Sequence, residues 1–421
     1  MKPSASQWTS WQKILFRFFF VFLGIFAFSY VVAPIGFTFG LSYSSLEKFF
    51  GTISRPLHWL DQHFYHFGFD PAKHDNLPGD GRYGMVFYFT LFLFASITCI
   101  VWSWIDRKKD NYSRPFFWFS FYLRYCVAVI MLWYGFMKLI PVQMSYPNAE
   151  QLLSTVGEQT HEGILWIFMG LSPRYQMFTG LCEVVASLLL LFRRTYVLGG
   201  LLMCGVLTNV FMLNLWYNVQ LKIYSSLTLV CVLFVLSPHF NRLIQLFFYK
   251  HAISLDEKNY IIQNRASRWV LWALAFSFIC VFCSMNLFYN NREYKRSLPM
   301  LHQKIYEITS FVSGDTIPPL LTDSLRWKRL VFTSDKDAII YRMNDAKDYY
   351  SCTVDSSKKT FALRNTDDTT ISALLHFDSP GKEQLLLSGN WKKREVHISM
   401  KENPVDSLTI NKEKISLVWD H

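Results

Sequence analysis

Charge is scarce in this chain, and acid scarcer than base. Only 17% of the 421 residues are charged, with 31 acidic against 42 basic side chains, where soluble domains average about 25% charged. Cysteine is scarce where it would matter structurally. Of eight cysteines, Cys99, Cys126, Cys182, Cys204, Cys231, Cys280 and Cys283 sit in apolar runs and only Cys352 lies in the polar C-terminal part. A disulfide-stapled secreted module is thereby excluded. None of the 11 histidines falls in an apolar run, which excludes haem held by spanning histidines. The C-terminal part also lacks a phosphate loop, a nucleophile with its base, and any metal-ligand spacing.

What is abundant is apolar surface: 51% of residues are hydrophobic and 18% aromatic. A membrane span needs about 20 mostly apolar residues. Seven runs qualify, at 14–33, 84–105, 118–140, 175–192, 195–217, 221–236 and 268–289. The first is too long and aromatic for a signal peptide, and no small-residue cleavage site follows it, so it reads as a retained helix.

A net charge of +11 would suggest nucleic acid in a soluble chain, yet the basic residues concentrate in alternate connections. Lys2, Lys13 and Arg17 open the first span, Arg107, Lys108, Lys109 and Arg114 fill the second connection, and Arg193 and Arg194 make the fourth. Arg242, Lys250, Lys258, Arg265 and Arg268 lie in or end the sixth. This pattern places the N-terminus in the cytoplasm and everything beyond residue 289 outside. Charge therefore reports topology, with no nucleic-acid partner and a lipid bilayer instead. An inner bacterial membrane with a periplasmic C-terminal domain is the expected setting.

Residues 118–236 carry side chains that a bilayer should reject. Glu183 lies about eight residues from either end of its run, and an ionised group at mid-membrane costs about 2.5–3.5 kcal/mol on insertion scales. It is therefore expected to be paired, turned inward or functional. Gln176, Thr179, Gly180, Glu183 and Ser187 recur at helical spacing, giving one polar, small-residue face. Arg124 and Lys138 are fourteen residues apart, nearly on one side of a helix, with Tyr134 one turn before Lys138. Either cation can also be read as snorkelling to its nearer surface. Arg124, Lys138 and Asn209 are the candidate partners of Glu183. Asn209, Asn214 and Lys222 are expected to form a polar floor at the outer side, beneath a loop at 141–174. Without any chemistry, Glu183 serves as glue between helices.

Two weaker signals are set aside. In the loop at 34–83, a helix around 44–67 would bring His58, Asp61 and His66 to one side, within a His58–His74 cluster, but the spacing matches no tight ligand motif. Cys280 and Cys283 form a CxxC inside an apolar run, where cysteines are usually small packing residues.

The third span, through Trp133, Tyr134, Gly135, Lys138, Leu139, Pro141 and Gln143, resembles the DoxX-like family of membrane proteins. So do the fourth, through Phe178, Gly180, Glu183 and residues 188–194, the pair Gly199 and Gly200, and the stretch 214–225 through Asn214, Tyr217, Val219, Lys222 and Ser225. The resemblance implies a four-helix membrane core over about 118–240, in a family associated with quinone-linked sulfur oxidation and membrane redox complexes. Long family members carry Asp and Pro where this chain has Asn218 and Gln220, so a carboxylate is missing from the outer rim.

Beyond residue 290 the period changes to two, as in Val396, Ile398 and Met400. About nine short strands separated by turn residues predict an antiparallel barrel, such as a lipocalin-like one, or a sandwich, with Trp327, Trp391 and Trp419 as core or ligand-lining residues. The chain should thus consist of a transmembrane helical domain (1–290) and an extracytoplasmic β-domain (291–421). The first functional expectation is a redox-associated membrane component holding a quinone or other small lipophilic ligand, with an envelope redox protein as partner. Glu183 and Lys138 would exchange protons, and Tyr134, Gln143, Gln176, Asn209, Asn214 and Lys222 would line the outward pocket. The second is a non-catalytic anchor presenting a β-domain that binds a lipid or an envelope protein.

Overall fold

The computed structural model describes residues 8–72, 79–249, 265–297, 304–323, 325–334, 336–368, 372–381, 383–405, 408 and 410. Its contacts define two compact units: Met1–Met144 with Ser172–Glu293, and Ser145–Leu171 with Tyr294–His421. The domain boundary expected at residue 290 thus falls at Tyr294. Residues 145–171, expected on the surface of the helical domain, group with the strands instead.

The first unit is helical among the described residues. α1 (Ser10–Thr38) starts at a capping box in which Thr9 and Gln12 exchange side-chain and backbone hydrogen bonds. α2 (Tyr43–Leu60) and its terminal π turn, Asp61–Tyr65, occupy the predicted loop helix. α3 (Arg82–Ile105) and α4 (Ser113–Leu139) follow. After the excursion through residues 145–171 come α7 (Pro173–Leu191), α8 (Tyr196–Trp216), α9 (Lys222–Leu236), α10 (Phe240–Tyr249) and α11 (Arg265–Ser297). Among the described residues, six helices are long and apolar enough to cross a membrane: α1, α3, α4, α7, α8 and the continuous stretch Lys222–Tyr249. The seventh predicted run is helical too, within α11. α4, α7, α8 and α9 touch in a closed ring, α4 to α7, α7 to α8, α8 to α9 and α9 back to α4, while α1 packs on α3 and α4. This is the expected four-helix core.

The second unit is a closed antiparallel barrel with an inserted helical segment. β1 (Lys304–Ser313) turns at Gly314 into a two-residue strand, β2 (Asp315–Thr316). The barrel continues through β3 (Trp327–Phe332), β4 (Asp337–Arg342), β5 (Lys347–Asp355), β6 (Thr360–Asn365), β7 (Ser372–Gly381), β8 (Gln384–Trp391) and β9 (Arg394–Pro404). β9 pairs back onto β1 from Lys304↔Pro404 to Val312↔His397, which closes eight strands and removes the open edges. The register shifts between Ile308 and Ser310. That bulge lets both Tyr306 and Phe311 join the interior cluster although an odd number of residues separates them.

The interior is filled by side chains, as an eight-stranded barrel permits. Trp327 and Trp391 are buried and meet edge to face at 4.9 Å, with Tyr350 against Trp391 at 5.6 Å. These tryptophans are core, not the lining of a lipocalin-like ligand cavity. Trp419 lies outside the described residues. β8 runs on to Trp391, and the hairpin turns at Lys392 and Lys393, both with positive φ. Gly389 is needed within the strand, because a Cβ there would stand 2.8 Å from the Leu374 carbonyl oxygen.

The inserted segment comprises α5 (Ala149–Leu153) and α6 (His161–Leu171). Outward-facing Ile305, Val331, Ile339 and Tyr341 would otherwise be an apolar patch on the barrel. Ala149, Leu152 and Leu153 of α5 cover it. A polar clasp fixes the contact: the Tyr349 hydroxyl donates to Glu150 Oε1 at 2.6 Å, and Lys347 Nζ donates to Ser154 Oγ at 2.9 Å and lies 3.6 Å from Glu158. The Glu150 carboxylate accepting its proton pushes the Tyr349 phenol up to about 12. Because the folded value is raised above the ordinary one near 10, the clasp is intact below pH 10 and is lost as pH rises through 12. Phenolate absorbance should show a late-titrating tyrosine that disappears in Tyr349→Phe. An unchanged titration in that variant would refute the assignment.

Candidate functional site

The site is built where α4 meets α7, the most extensive helix contact in the unit. Two glycines make the approach possible. A Cβ on Gly180 would stand 2.5 Å from the Leu139 nitrogen and 2.7 Å from the Gly135 carbonyl oxygen. A Cβ on Gly135 would meet Val184 at 2.8 Å and Glu183 Cβ at 3.2 Å. With the backbones this close, Lys138 Nζ donates directly to Glu183 Oε1, forming a buried ion pair. Glu183 is 1% exposed and Lys138 7%. The second carboxylate oxygen, Oε2, is buried with no hydrogen-bond partner among the described residues.

Beside the pair runs a file of four tyrosines from four helices. Tyr134 and Tyr224 lie in electrostatic reach of Glu183, with their rings 5.8 Å apart. The Tyr224 ring lies tilted against that of Tyr30, centre to centre 4.3 Å, and the Tyr30 hydroxyl shares a hydrogen bond with Tyr88. The file therefore crosses α4, α9, α1 and α3 from the carboxylate on α7. Only Tyr134 was singled out in the sequence. The available signal for the others was a phenol inside an apolar run, since a buried tyrosine hydroxyl needs a partner.

The remaining predicted residues do not converge on Glu183. Gln176 is fully buried, but its amide pairs with the Met144 backbone, donating to the carbonyl at 2.8 Å and accepting from the N–H at 3.2 Å. Asn214 donates to the Leu221 carbonyl and to Ser225 Oγ, both at 3.2 Å, which ties the α8–α9 turn. The backbone N–H groups of Lys222 and Ile223 donate to Asp80, whose carboxylate also faces Lys222 Nζ at 3.8 Å. Asp80 is thus the cap of α9, supplied from 142 residues away, and no local signal marks it. Asn209 is exposed on α8. Gln143 keeps a buried Oε1 without a partner among the described residues. The expected polar floor is therefore not assembled: Lys138 pairs with Glu183 and Tyr134 lies in its electrostatic reach, whereas Gln176, Asn214 and Lys222 bond elsewhere and Asn209 is exposed.

Other polar candidates are also accounted for. Arg124 is not the partner of Glu183, for its guanidinium lies 5.0–5.5 Å from the ring centres of Phe121, Tyr125 and Tyr196. Buried Arg17 donates to the Tyr112 hydroxyl at 2.8 Å, Ser103 Oγ at 2.8 Å and the Asp106 carbonyl at 3.1 Å. Asp61 accepts from the Phe67 and Phe69 N–H groups at 2.8 and 2.7 Å, and His58 contacts the Phe69 carbonyl at 2.7 Å. Those groups serve a loop, and no cluster that could hold a metal occurs among the described residues. His74 lies outside them. Cys280 and Cys283 are free thiols.

A cleft of about 630 Å³ opens at the other end of the bundle, where α1 and α4 begin and α9 ends. Phe19, Phe116 and Phe234 form its walls, and Gln12, Ser113 and Ser237 its rim. Along α4, Phe116 and Lys138 are separated by roughly 33 Å of helical rise.

Fold and site together define a polytopic membrane protein with a helical core around a buried ion pair and a closed β-barrel domain. No family model matches the chain, and no solved structure matches it. It is similar to the uncharacterized protein YwoB of Bacillus subtilis (strain 168), 29% identical over 100 residues. Those residues make up 22% of this chain and 65% of YwoB, just under two thirds of that relative's length.

Proposed function

We propose that this chain is a DoxX-like component of a bacterial inner membrane in which Glu183 and Lys138 exchange protons with a quinone or another small lipophilic partner. The N-terminus is cytoplasmic and the barrel periplasmic, in keeping with the basic connections at one set of helix ends. The observation that carries the reading is the unpartnered Oε2 of a carboxylate that is 1% exposed and fixed by a single lysine. A buried acceptor without a partner is costly, and it is retained here with two phenols, Tyr134 and Tyr224, in electrostatic reach.

The donor set fits a quinone headgroup. Lys138 and the Tyr134 hydroxyl offer protons to a carbonyl oxygen, and Glu183 Oε2 accepts from a hydroxyl. A bound quinone supplies two-electron, two-proton chemistry. For their part, Glu183 holds or releases a proton at Oε2, Lys138 stabilises the anionic carboxylate, and the packed α4–α7 contact excludes water. Ligand access to so buried a group requires a local displacement of α4 or α7.

The test is native mass spectrometry of the detergent-solubilised full chain. Wild type should carry a lipophilic small molecule that Glu183→Gln, folded to the same melting temperature within a few degrees, lacks. Equal retention by both proteins removes the carboxylate from the site. The second reading, an anchor that presents the barrel, is favoured by one observation: the barrel interior is filled, so any partner of that domain binds its outer surface. Under that reading a ligand is retained regardless of Glu183.

A further inference from the structure

The aromatic cleft plays no part in the proton-exchange reading and does not depend on it. Its depth lies within the hydrocarbon of one leaflet. Along α1 its lining runs from Gln12 to Phe19, about 10 Å of helical rise, against roughly half of the ~30 Å hydrocarbon thickness of a bilayer for one leaflet. The lining is also graded along that axis. Polar Gln12, Ser113 and Ser237 stand near the helix termini, whereas Phe19, Val230 and Leu233 lie deeper.

Charge at the same helix ends is mostly positive. Arg114 at the start of α4, Arg107 and Lys108 in the α3–α4 connection, and Arg194 before α8 are exposed, and Lys13 is half-buried on α1. The opposing acids are few. Asp106 is engaged by the Tyr112 hydroxyl at 2.7 Å and faces Lys109 at 3.7 Å, which leaves Asp110 as the exposed carboxylate of that connection. The charge of Arg17 is spent on Tyr112, Ser103 and Asp106. An apolar groove beneath an excess of cations is complementary to an amphiphile with a negative headgroup.

We propose that this cleft binds one acyl chain of an anionic phospholipid, with the phosphate held among the basic helix ends. The test reconstitutes the full chain in phosphatidylcholine vesicles containing a minority of phosphatidylglycerol with a diazirine on its acyl chain, and maps the crosslinks by peptide mass spectrometry. Label should concentrate on Leu15, Phe19 and Val230, severalfold above Leu202 of α8. Leu202 is a fair control for bulk lipid because it is 45% exposed against 50% for Leu15. Phosphatidylcholine carrying the same photolabel should show no such excess. Even labelling of Leu15 and Leu202 overturns the site, and equal yields from the two lipids overturn its headgroup selection. Val230→Trp, which fills the cleft, should abolish the excess at Phe19 and leave Leu202 unchanged. If that variant does not fold, the wild-type map decides alone.

Discussion

Lys138→Met alone should be the most damaging single change in the helical core, costing about 3–5 kcal/mol. It leaves the Glu183 carboxylate, 1% exposed, with neither its cation nor water, so the group must either stay charged in an apolar contact or take up a proton. Glu183→Gln should cost less, because a neutral amide replaces the lone anion and Lys138, at the last turn of α4, can reach toward the helix terminus. The double variant Lys138→Met/Glu183→Leu should recover most of the loss, since apolar groups of similar volume replace a buried pair with little penalty. Thermal unfolding in detergent would rank the three. A double variant as unstable as Lys138→Met would mean that shape, not charge, is what the pair contributes.

Gly180→Ala should be nearly as severe, at about 1–3 kcal/mol or more. The added methyl would stand 2.5 Å from the Leu139 nitrogen and 2.7 Å from the Gly135 carbonyl oxygen. Both are backbone atoms, so no side-chain rotation relieves the clash and α4 must move away from α7. Separation of the helices also pulls Lys138 from Glu183, so the variant should lose part of the ion pair's contribution as well. Gly205→Ala is the matched control, with nothing within 4 Å of its new methyl. There the better helix propensity of alanine should stabilise by about 0.5–1 kcal/mol. Similar melting temperatures for the two variants would refute the close-approach argument.

The division into a helical part and a stranded part was legible because it rests on local periodicity. Apolar runs gave the helices and a period of two gave the strands. Helical spacing also placed Gln176 and Glu183 correctly on one buried face, since seven residues bring the direction back to within about 20°. The polar floor failed because its members were grouped by depth and not by direction. Asn209 and Asn214 are five residues apart, about 140° around the helix, and one is exposed while the other is buried. The bond from Asp80 to Lys222 and Ile223, and the grip of Glu150 on Lys347 and Tyr349, join residues far apart in the chain. Nothing within a local window announces either. Tyr30, Tyr88 and Tyr224 escaped for a different reason: each is ordinary in its own helix and acquires meaning only from its neighbours.

The placement of residues 145–171 bears on how the protein is made. The ribosome delivers α5 and α6 before α7, yet the strands that α5 covers lie between Lys304 and Arg342, in a barrel that closes only with β9, which ends at Pro404. At synthesis rates of about 5–20 residues per second, the stretch from Leu171 to Pro404 takes on the order of 10–50 s to emerge. Throughout that interval Ala149, Leu152 and Leu153 have no barrel to cover, and maturation ends only when the last strand closes the cylinder. A nascent chain halted before β9 should therefore expose this segment to protease, whereas the released, full-length protein should not.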